Sequence, residues 1–329
     1  MNKIKIIQLS LVTIFLSFNY ITAQQAGIEP TKVQRNGLSG FTFLKINPDI
    51  KSAAMGNTRG ALGSANASGI FANPSSVSNI EKLDFYFGTI NYVADITYNA
   101  FSVVNKSSFG NIGFSIASLD MGDIPETMNS LVSDGSRTES TITGRNFTGG
   151  NLAAGITFAR NFTDRLSIGV NARYISETID DVSMNNISFD VGTTYYTGFR
   201  SLRLGMVFSN LGDDTNLANW DEDFQVEPID VKMPWDFRVG VAMDFLQDEN
   251  LTVAIEASHP NDNSEKLHIG AEYDLGGIIF LRSGYKINYD EDGLTFGAGI
   301  NYNNFNINFA LVSMNRLGNV SMISLGFNL

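Results

Sequence analysis

Runs of about ten residues in which apolar and polar side chains alternate recur along most of this chain. Clear examples are 165–174, 236–245 and 294–302. Because side chains in a strand point alternately to opposite faces, each run has one apolar face and one face of polar residues and glycine. About ten residues is also the length of a tilted strand that crosses a bilayer.

The number and spacing of these runs predict a closed barrel. There are fourteen such runs, and they begin near residues 82, 97, 109, 148, 165, 187, 201, 234, 250, 265, 277, 294, 304 and 320. The connections after even-numbered runs are short, whereas those after odd-numbered runs include the two longest, 120–147 and 211–233. This partial asymmetry is typical of outer-membrane proteins. The fold predicted for 82–329 is all-β, a 14-stranded antiparallel transmembrane outer-membrane β-barrel, and the pattern favours it over a secreted β-sandwich.

The first 23 residues are predicted to be a signal peptide. Lys3 and Lys5 precede an apolar stretch over 6–18, and Ala23 is a small residue suited to cleavage. The alternative is a retained anchor, although the stretch is short for a membrane span. We therefore expect the mature chain in the bacterial outer membrane, in contact with the lipid bilayer and lipopolysaccharide.

The composition excludes several classes of function. The chain has no cysteine and two histidines, so disulfides, cysteine-ligated zinc and thiol catalysis are excluded, and a multi-histidine metal site is disfavoured. It has 22 Lys and Arg against 34 Asp and Glu, a balance that disfavours binding to nucleic acid. No cofactor is predicted.

Residues 24–81 lack the ten-residue alternation and are rich in Ala, Gly and Ser, which allow close backbone packing. A barrel of fourteen strands is too wide for its own side chains to fill. We therefore expect this segment to be an N-terminal hatch, a plug inside the barrel. Its candidate packing residues are Phe43, Leu44, Met55, Gly56, Asn73 and Pro74.

Charged residues at inward positions of the strands have two interpretations. The first is a network of ion pairs between the barrel wall and the hatch, since unpaired charges in a confined lumen are costly. The second is a Ser–His–acid hydrolase with His268 as its base; no nucleophile motif accompanies it, so no enzyme is predicted. The candidate network comprises Lys45, Lys51, Arg59, Arg173, Arg238, Glu256, His268 and Glu272.

The long connections carry two further candidates. Acidic residues in 211–223 and 290–292 allow calcium binding, but the spacing is not that of an EF-hand loop and favours solvated turns. Apolar residues in an acidic loop suggest a docking surface for another protein, unless they fold back over the barrel mouth. The candidate docking residues are Leu131, Val132, Leu217, Trp220 and Phe224.

Several short stretches match the sequence pattern of a known family, and they are 43–46, 53–56, 73–74, 94–98, 119–122, 151–156, 163–170, 202–206 and 209–212. They resemble the PorV/PorQ family of Bacteroidetes outer-membrane proteins, which is associated with the type IX secretion system and has a FadL-like barrel with a hatch. The chain departs from the family pattern at Ala72, where the family has Trp, and at Ser76, where it has Gly.

The resemblance implies a secretion accessory that docks the C-terminal domains of secreted cargo, or partners in an attachment complex, through its extracellular loops. The alternative function is a FadL-like transporter of a hydrophobic small molecule across the outer membrane. The transporter requires an apolar pocket between hatch and wall, whereas a docking barrel is expected to have a packed, charge-paired lumen.

Overall fold

The computed structural model describes residues 37–63, 66–131, 138–215, 230–246 and 249–329, which form a closed barrel of fourteen antiparallel strands. The strands are β1 (Leu83–Asn91), β2 (Thr97–Ser107), β3 (Gly110–Leu131), β4 (Thr138–Asn161), β5 (Leu166–Ile179), β6 (Val182–Tyr196), β7 (Arg203–Leu211), β8 (Asp236–Phe245), β9 (Leu251–Pro260), β10 (Lys266–Leu275), β11 (Ile279–Ile287), β12 (Leu294–Tyr302), β13 (Phe305–Ser313) and β14 (Asn319–Asn328). Each strand pairs with the next, and β14 closes the ring by pairing with β1. None of the helices in these ranges is long and apolar enough to cross a membrane.

The predicted all-β barrel of fourteen antiparallel strands is therefore confirmed. The predicted starts lie within two residues of the observed ones except at β4 and β6, which begin at Thr138 and Val182. The alternation predicts the strand positions well because shifting a strand by one residue would exchange its apolar and polar faces.

The prediction that 120–147 is a loop was wrong, because most of it continues β3 and β4. These strands have 22 and 24 residues, and their pairing extends beyond Asp120, through two irregularities, to Leu131 opposite Thr138. Pairing of β2 with β3 stops at Asp120, so the hairpin continues as a two-stranded ribbon. Most side chains of the ribbon are polar and exposed on both faces, and a one-sided apolar pattern therefore could not reveal it.

The outer face of the wall is apolar. Large exposed side chains follow one another at alternate positions, as in Phe237, Val239 and Val241 of β8, and the same pattern holds on most of the other strands. Soluble proteins rarely expose a continuous apolar surface of this extent. The outer face is therefore suited to the hydrocarbon region of a bilayer.

Residues 37–63 and 66–80, which we call the inner segment, lie inside the barrel. They include two short α-helices, α1 (Ile50–Ala54) and α2 (Gly69–Ala72), and 3₁₀ turns at Thr42–Lys45 and Pro74–Asn79. Their hydrogen bonds reach inward-facing residues on strands around the whole ring, for example Tyr86, Asn111, Thr194, Arg238 and Thr295. A segment bonded to all sides of a closed wall lies within it. Residues 24–36 are outside the described ranges, so the predicted bounds of the hatch remain a prediction.

Glycines on the inner face of the wall give the inner segment room. At Gly205 of β7 a β-carbon would lie 2.1 Å from the Gly60 oxygen, and at Gly284 of β11 it would lie 2.0 Å from the Gly56 nitrogen. Real β-carbons are not found this close to backbone atoms, so the inner segment approaches the wall only where the wall has no side chain. Close packing against the inner segment thus explains why many positions on the inner face of the strands are glycine.

Candidate functional site

A cavity of about 550 Å³ lies at one end of the barrel, above the inner segment. Its floor is formed by residues 42–59, and its sides are the ends of the strands that lead into the connections 92–96, 212–235 and 288–293. The longest connection and the β3–β4 ribbon are at this end of the barrel. The start of β1 and the end of β14 are at the opposite end. In outer-membrane barrels the end with long connections faces outward, so the end that holds the cavity is the one predicted to be extracellular.

One side of the cavity is apolar. Side chains from the wall meet side chains of the floor there, and the floor contributes Phe43, Leu44 and Ile46. The wall contributes Leu119, Met121, Val312, Val320 and Met322, together with Tyr92 and Ile96 from the first connection. Flexible methionines among aliphatic residues form a surface that adapts to apolar ligands of different shape.

The opposite side is charged, and its centre is Arg238 of β8. The guanidinium donates to Asp236 at 2.6 Å, to Glu256 at 2.8 Å and to the Asn57 carbonyl at 3.2 Å. Glu256 is 1% exposed and also accepts from the backbone N–H groups of Arg59 and Gly60, at 2.9 and 2.5 Å. This carboxylate therefore joins the wall to the inner segment.

His268 is a structural residue of the same region. Its Nδ1 lies 2.7 Å from the Gly56 carbonyl and therefore carries the proton, while Nε2 lies 3.5 Å from the Tyr289 hydroxyl. Burial raises the pKa of Tyr289 to about 12, so the hydroxyl stays protonated at neutral pH. Glu256 and Glu272, the two glutamates of the predicted network, are both paired with arginines. The described hydrogen-bond contacts of His268 are thus with a backbone carbonyl and a tyrosine hydroxyl.

The remaining charges of the predicted network form separate pairs. Glu272 lies between Lys51, at 3.1 Å, and Arg282, at 2.5 Å, on the side of the inner segment away from the cavity. Arg173 pairs with Asp190 at 2.7 Å. Lys45 pairs with Asp262 at the cavity. The structure thus distributes the predicted residues over at least four clusters.

Sequence reasoning missed several partners in these clusters. Strand parity contained the signal for Arg282, which lies directly opposite Glu272 in the pairing of β10 with β11. Asp262 lies in the β9–β10 connection, where no periodicity indicates which way a side chain points. The pairing of Asp262 with Lys45 and Ser39 therefore had no signal in the sequence.

The predicted hatch residues lie within the inner segment. Phe43, Leu44 and Met55 are buried, and Asn73 donates to the Gly60 carbonyl at 2.6 Å while accepting from the Ser75 N–H at 3.0 Å. Asn73 thereby connects two parts of the inner segment and starts the turn at Pro74.

The other loop predictions are addressed only in part. Among the candidate docking residues, Leu131 ends β3, and Val132, Leu217, Trp220 and Phe224 lie outside the described residues. In 290–292, Asp292 bonds to Lys286 at 3.0 Å, and Glu291 lies 3.7 Å from Arg316. Within the described ranges no group of three or more His, Asp or Glu residues is arranged to hold a metal ion.

The barrel is similar to solved structures of outer-membrane channels. They include the CymD monoaromatic hydrocarbon channel (TM-score 0.58, 12% identity, covering 86% of this chain and 97% of that one) and the Pseudomonas putida toluene transporter TodX (0.57, 15%, 84% and 95%). A Pseudomonas aeruginosa FadL homologue is also similar (0.51, 12%, 84% and 97%). No family model and no curated protein matches the sequence.

At these identities the similarity shows the fold, which is that of FadL-like barrels of the bacterial outer membrane. The structural neighbours are channels and transporters rather than enzymes. None of these comparisons supports the PorV/PorQ branch, and the association with type IX secretion stays a prediction.

Proposed function

We propose that the chain is an outer-membrane conduit for small apolar molecules, embedded in the bilayer with its cavity facing the outside. The observation that carries this proposal is the apolar side of the cavity, formed jointly by the wall and the inner segment. Its volume of about 550 Å³ is within the range of small-molecule pockets. The similarity to hydrocarbon channels supports the same class of substrate.

A substrate in the cavity has two possible exits. The axial exit is closed by α1, which separates the cavity from a second pocket of about 250 Å³ at the periplasmic end, and Lys51 of α1 is bonded to Glu272. The lateral exit lies at β3, where pairing with β4 is irregular between Asp120 and Asp123 and the intervening Met121 lines the cavity. A bulge interrupts the ladder of hydrogen bonds, so the rim of the wall is weakened where the β3–β4 ribbon leaves it, beside the apolar side of the cavity. We propose the lateral exit.

Docking of secreted cargo is the competing function. The paired charges of the lumen are compatible both with a docking barrel and with a conduit whose axial path is blocked. Its predicted residues lie almost entirely outside the described ranges, and the similar structures named above are channels and transporters. The transporter therefore has the stronger support.

Filling the cavity tests the conduit. Met121→Trp places a larger side chain on its apolar side, and we expect uptake of labelled toluene by cells producing the protein to fall to near the level of cells without it. The matched control is Met128→Trp, which lies on the same strand in the exposed ribbon, with 61% of the residue exposed, and should leave uptake unchanged.

The measurement is the initial rate of uptake, normalised to the amount of folded barrel in the outer membrane. Equal uptake with and without the wild-type protein, for toluene and for larger hydrocarbons, would contradict the proposal. A loss caused equally by both tryptophan variants would show that the cavity is not the route.

A further inference from the structure

Two neighbouring side chains on the cavity wall have acceptor oxygens without partners. Asn151 of β4 and Glu177 of β5 are directly opposite each other in the sheet, and both line the cavity. Asn151 Oδ1 and Glu177 Oε2 are buried and make no hydrogen bond. Glu177 accepts from the backbone N–H of Phe41, so its position is held by the inner segment. The pair forms what we call the acceptor site, Asn151 and Glu177.

The acceptor site borders the apolar side of the cavity. In the register of the sheet, Leu119 lies opposite Asn151, and Met184 lies opposite Glu177 on the other side. Directly opposite residues have their β-carbons about 4.5–5.5 Å apart, so the four side chains form one continuous row. A ligand bound here would meet two acceptors and an apolar surface together.

Within the part of the chain that the structure describes, the cavity offers Glu177 no cation. The basic residues that line the cavity are engaged elsewhere: Arg238 with Asp236 and Glu256, Lys45 with Asp262, and Lys286 with Asp292. Arg59 donates to Asn57 and to the Lys45 carbonyl, and Lys266 donates to the Asn288 carbonyl and lies over the Tyr289 ring.

Among the described residues that line the cavity, the unpartnered polar atoms all have the same character. Besides those of the acceptor site they are Asp262 Oδ1 and Asp292 Oδ1, and every one is an acceptor. Asp262 is 3% exposed and Asn151 is 6% exposed, so the missing partners are not supplied by bulk solvent. A buried acceptor without a donor is costly, and for a carboxylate the cost is larger. The cavity therefore favours a ligand that brings donors and positive charge.

We propose that the cavity binds cationic amphiphiles, with an ammonium group donating to Glu177 and Asn151 and an apolar body lying against Leu119 and Met121. An ammonium group has three donors and one positive charge, which satisfy both oxygens and neutralise Glu177. This proposal rests on the proposed function, and it specifies the head group of the substrate.

The test compares three ligands with one apolar body and different head groups. They are 4-phenylbutylammonium, 4-phenylbutanol and 4-phenylbutanoate, titrated calorimetrically at neutral pH into the full chain in nanodiscs, with empty nanodiscs subtracted. We expect the ammonium compound to bind at least about tenfold more tightly than the alcohol, and the carboxylate to bind most weakly. This comparison uses the wild-type chain and so does not depend on any variant folding.

Glu177→Gln then locates the preference. It keeps the shape of the side chain and an oxygen for the Phe41 N–H, and it should reduce binding of the ammonium compound about tenfold while leaving the alcohol unchanged. Asn151→Ala should weaken ammonium binding less, because the charge remains. The matched control is Glu81→Gln, which removes an exposed carboxylate outside the cavity.

The outcomes separate this proposal from the conduit itself. Equal binding of the three ligands, preference for the carboxylate, or an ammonium preference that survives Glu177→Gln would overturn the head-group proposal while leaving an apolar conduit in place. Failure of all three ligands to bind would overturn the head-group proposal, and together with absent hydrocarbon uptake it would overturn the conduit as well.

Discussion

Glu256→Ala is expected to lower the free energy of unfolding by about 3–5 kcal/mol, because it breaks a buried ion pair by removing one of the two carboxylates that neutralise Arg238. Arg238 is 5% exposed and would retain Asp236 as its remaining anionic partner. The same substitution removes the acceptor for the N–H groups of Arg59 and Gly60. The measurement is urea-induced unfolding of the protein refolded in lipid vesicles, followed by far-UV circular dichroism.

The matched control is Glu249→Ala, which removes an exposed carboxylate in the turn between β8 and β9 and should change stability by less than about 0.5 kcal/mol. The double variant Arg238→Met with Glu256→Leu should recover part of the loss, because it removes the buried arginine together with Glu256, and Asp236, which then loses its ion pair, has a side chain that is 16% exposed. A loss below 1 kcal/mol for Glu256→Ala would show that water enters the lumen and that the ion pair does not hold the inner segment.

The wall could be predicted from the sequence because its two environments differ so strongly. Hydrocarbon outside and polar packing inside impose the same alternation on every membrane-spanning strand, as in Phe237, Val239 and Val241 on the outer face of β8. The β3–β4 ribbon has no such contrast, since both of its faces are polar, and the sequence of 120–147 therefore predicts a loop where the structure has mostly strand.

From the sequence, the transporter hypothesis requires an apolar cavity between hatch and wall, but no pattern of residues predicts which side chains form it. Its apolar side combines Met121 of β3, Met322 of β14 and Phe43 of the inner segment, which are brought together by closure of the ring. Asn151 and Glu177 are ordinary inward-facing polar residues in the sequence. Only the register between β4 and β5, together with the positions of the neighbouring cations, shows that they lack partners.

Gly205→Ala is expected to destabilise the barrel by about 1–3 kcal/mol, because the new methyl group would overlap the backbone of the inner segment. The β-carbon would lie 2.1 Å from the Gly60 oxygen and 2.6 Å from the Ala61 nitrogen. Backbone atoms cannot turn aside as a flexible side chain can, so residues 60–61 must move away from β7. Gly150→Ala is the matched control, since the nearest atom to its β-carbon is the Leu119 oxygen at 3.4 Å.

Gly205→Ala and Glu256→Ala both act on the contact between Gly60 and Glu256, and a double variant tests whether their effects are coupled. If Gly205→Ala displaces Gly60, the hydrogen bond from the Gly60 N–H to Glu256 is already weakened, and Glu256→Ala has less left to remove. The loss of unfolding free energy in the double variant should therefore be smaller than the sum of the two single losses, by about 0.5–3 kcal/mol. Simple additivity would mean that the inner segment accommodates the methyl group without moving, and the role assigned to the wall glycines would be wrong.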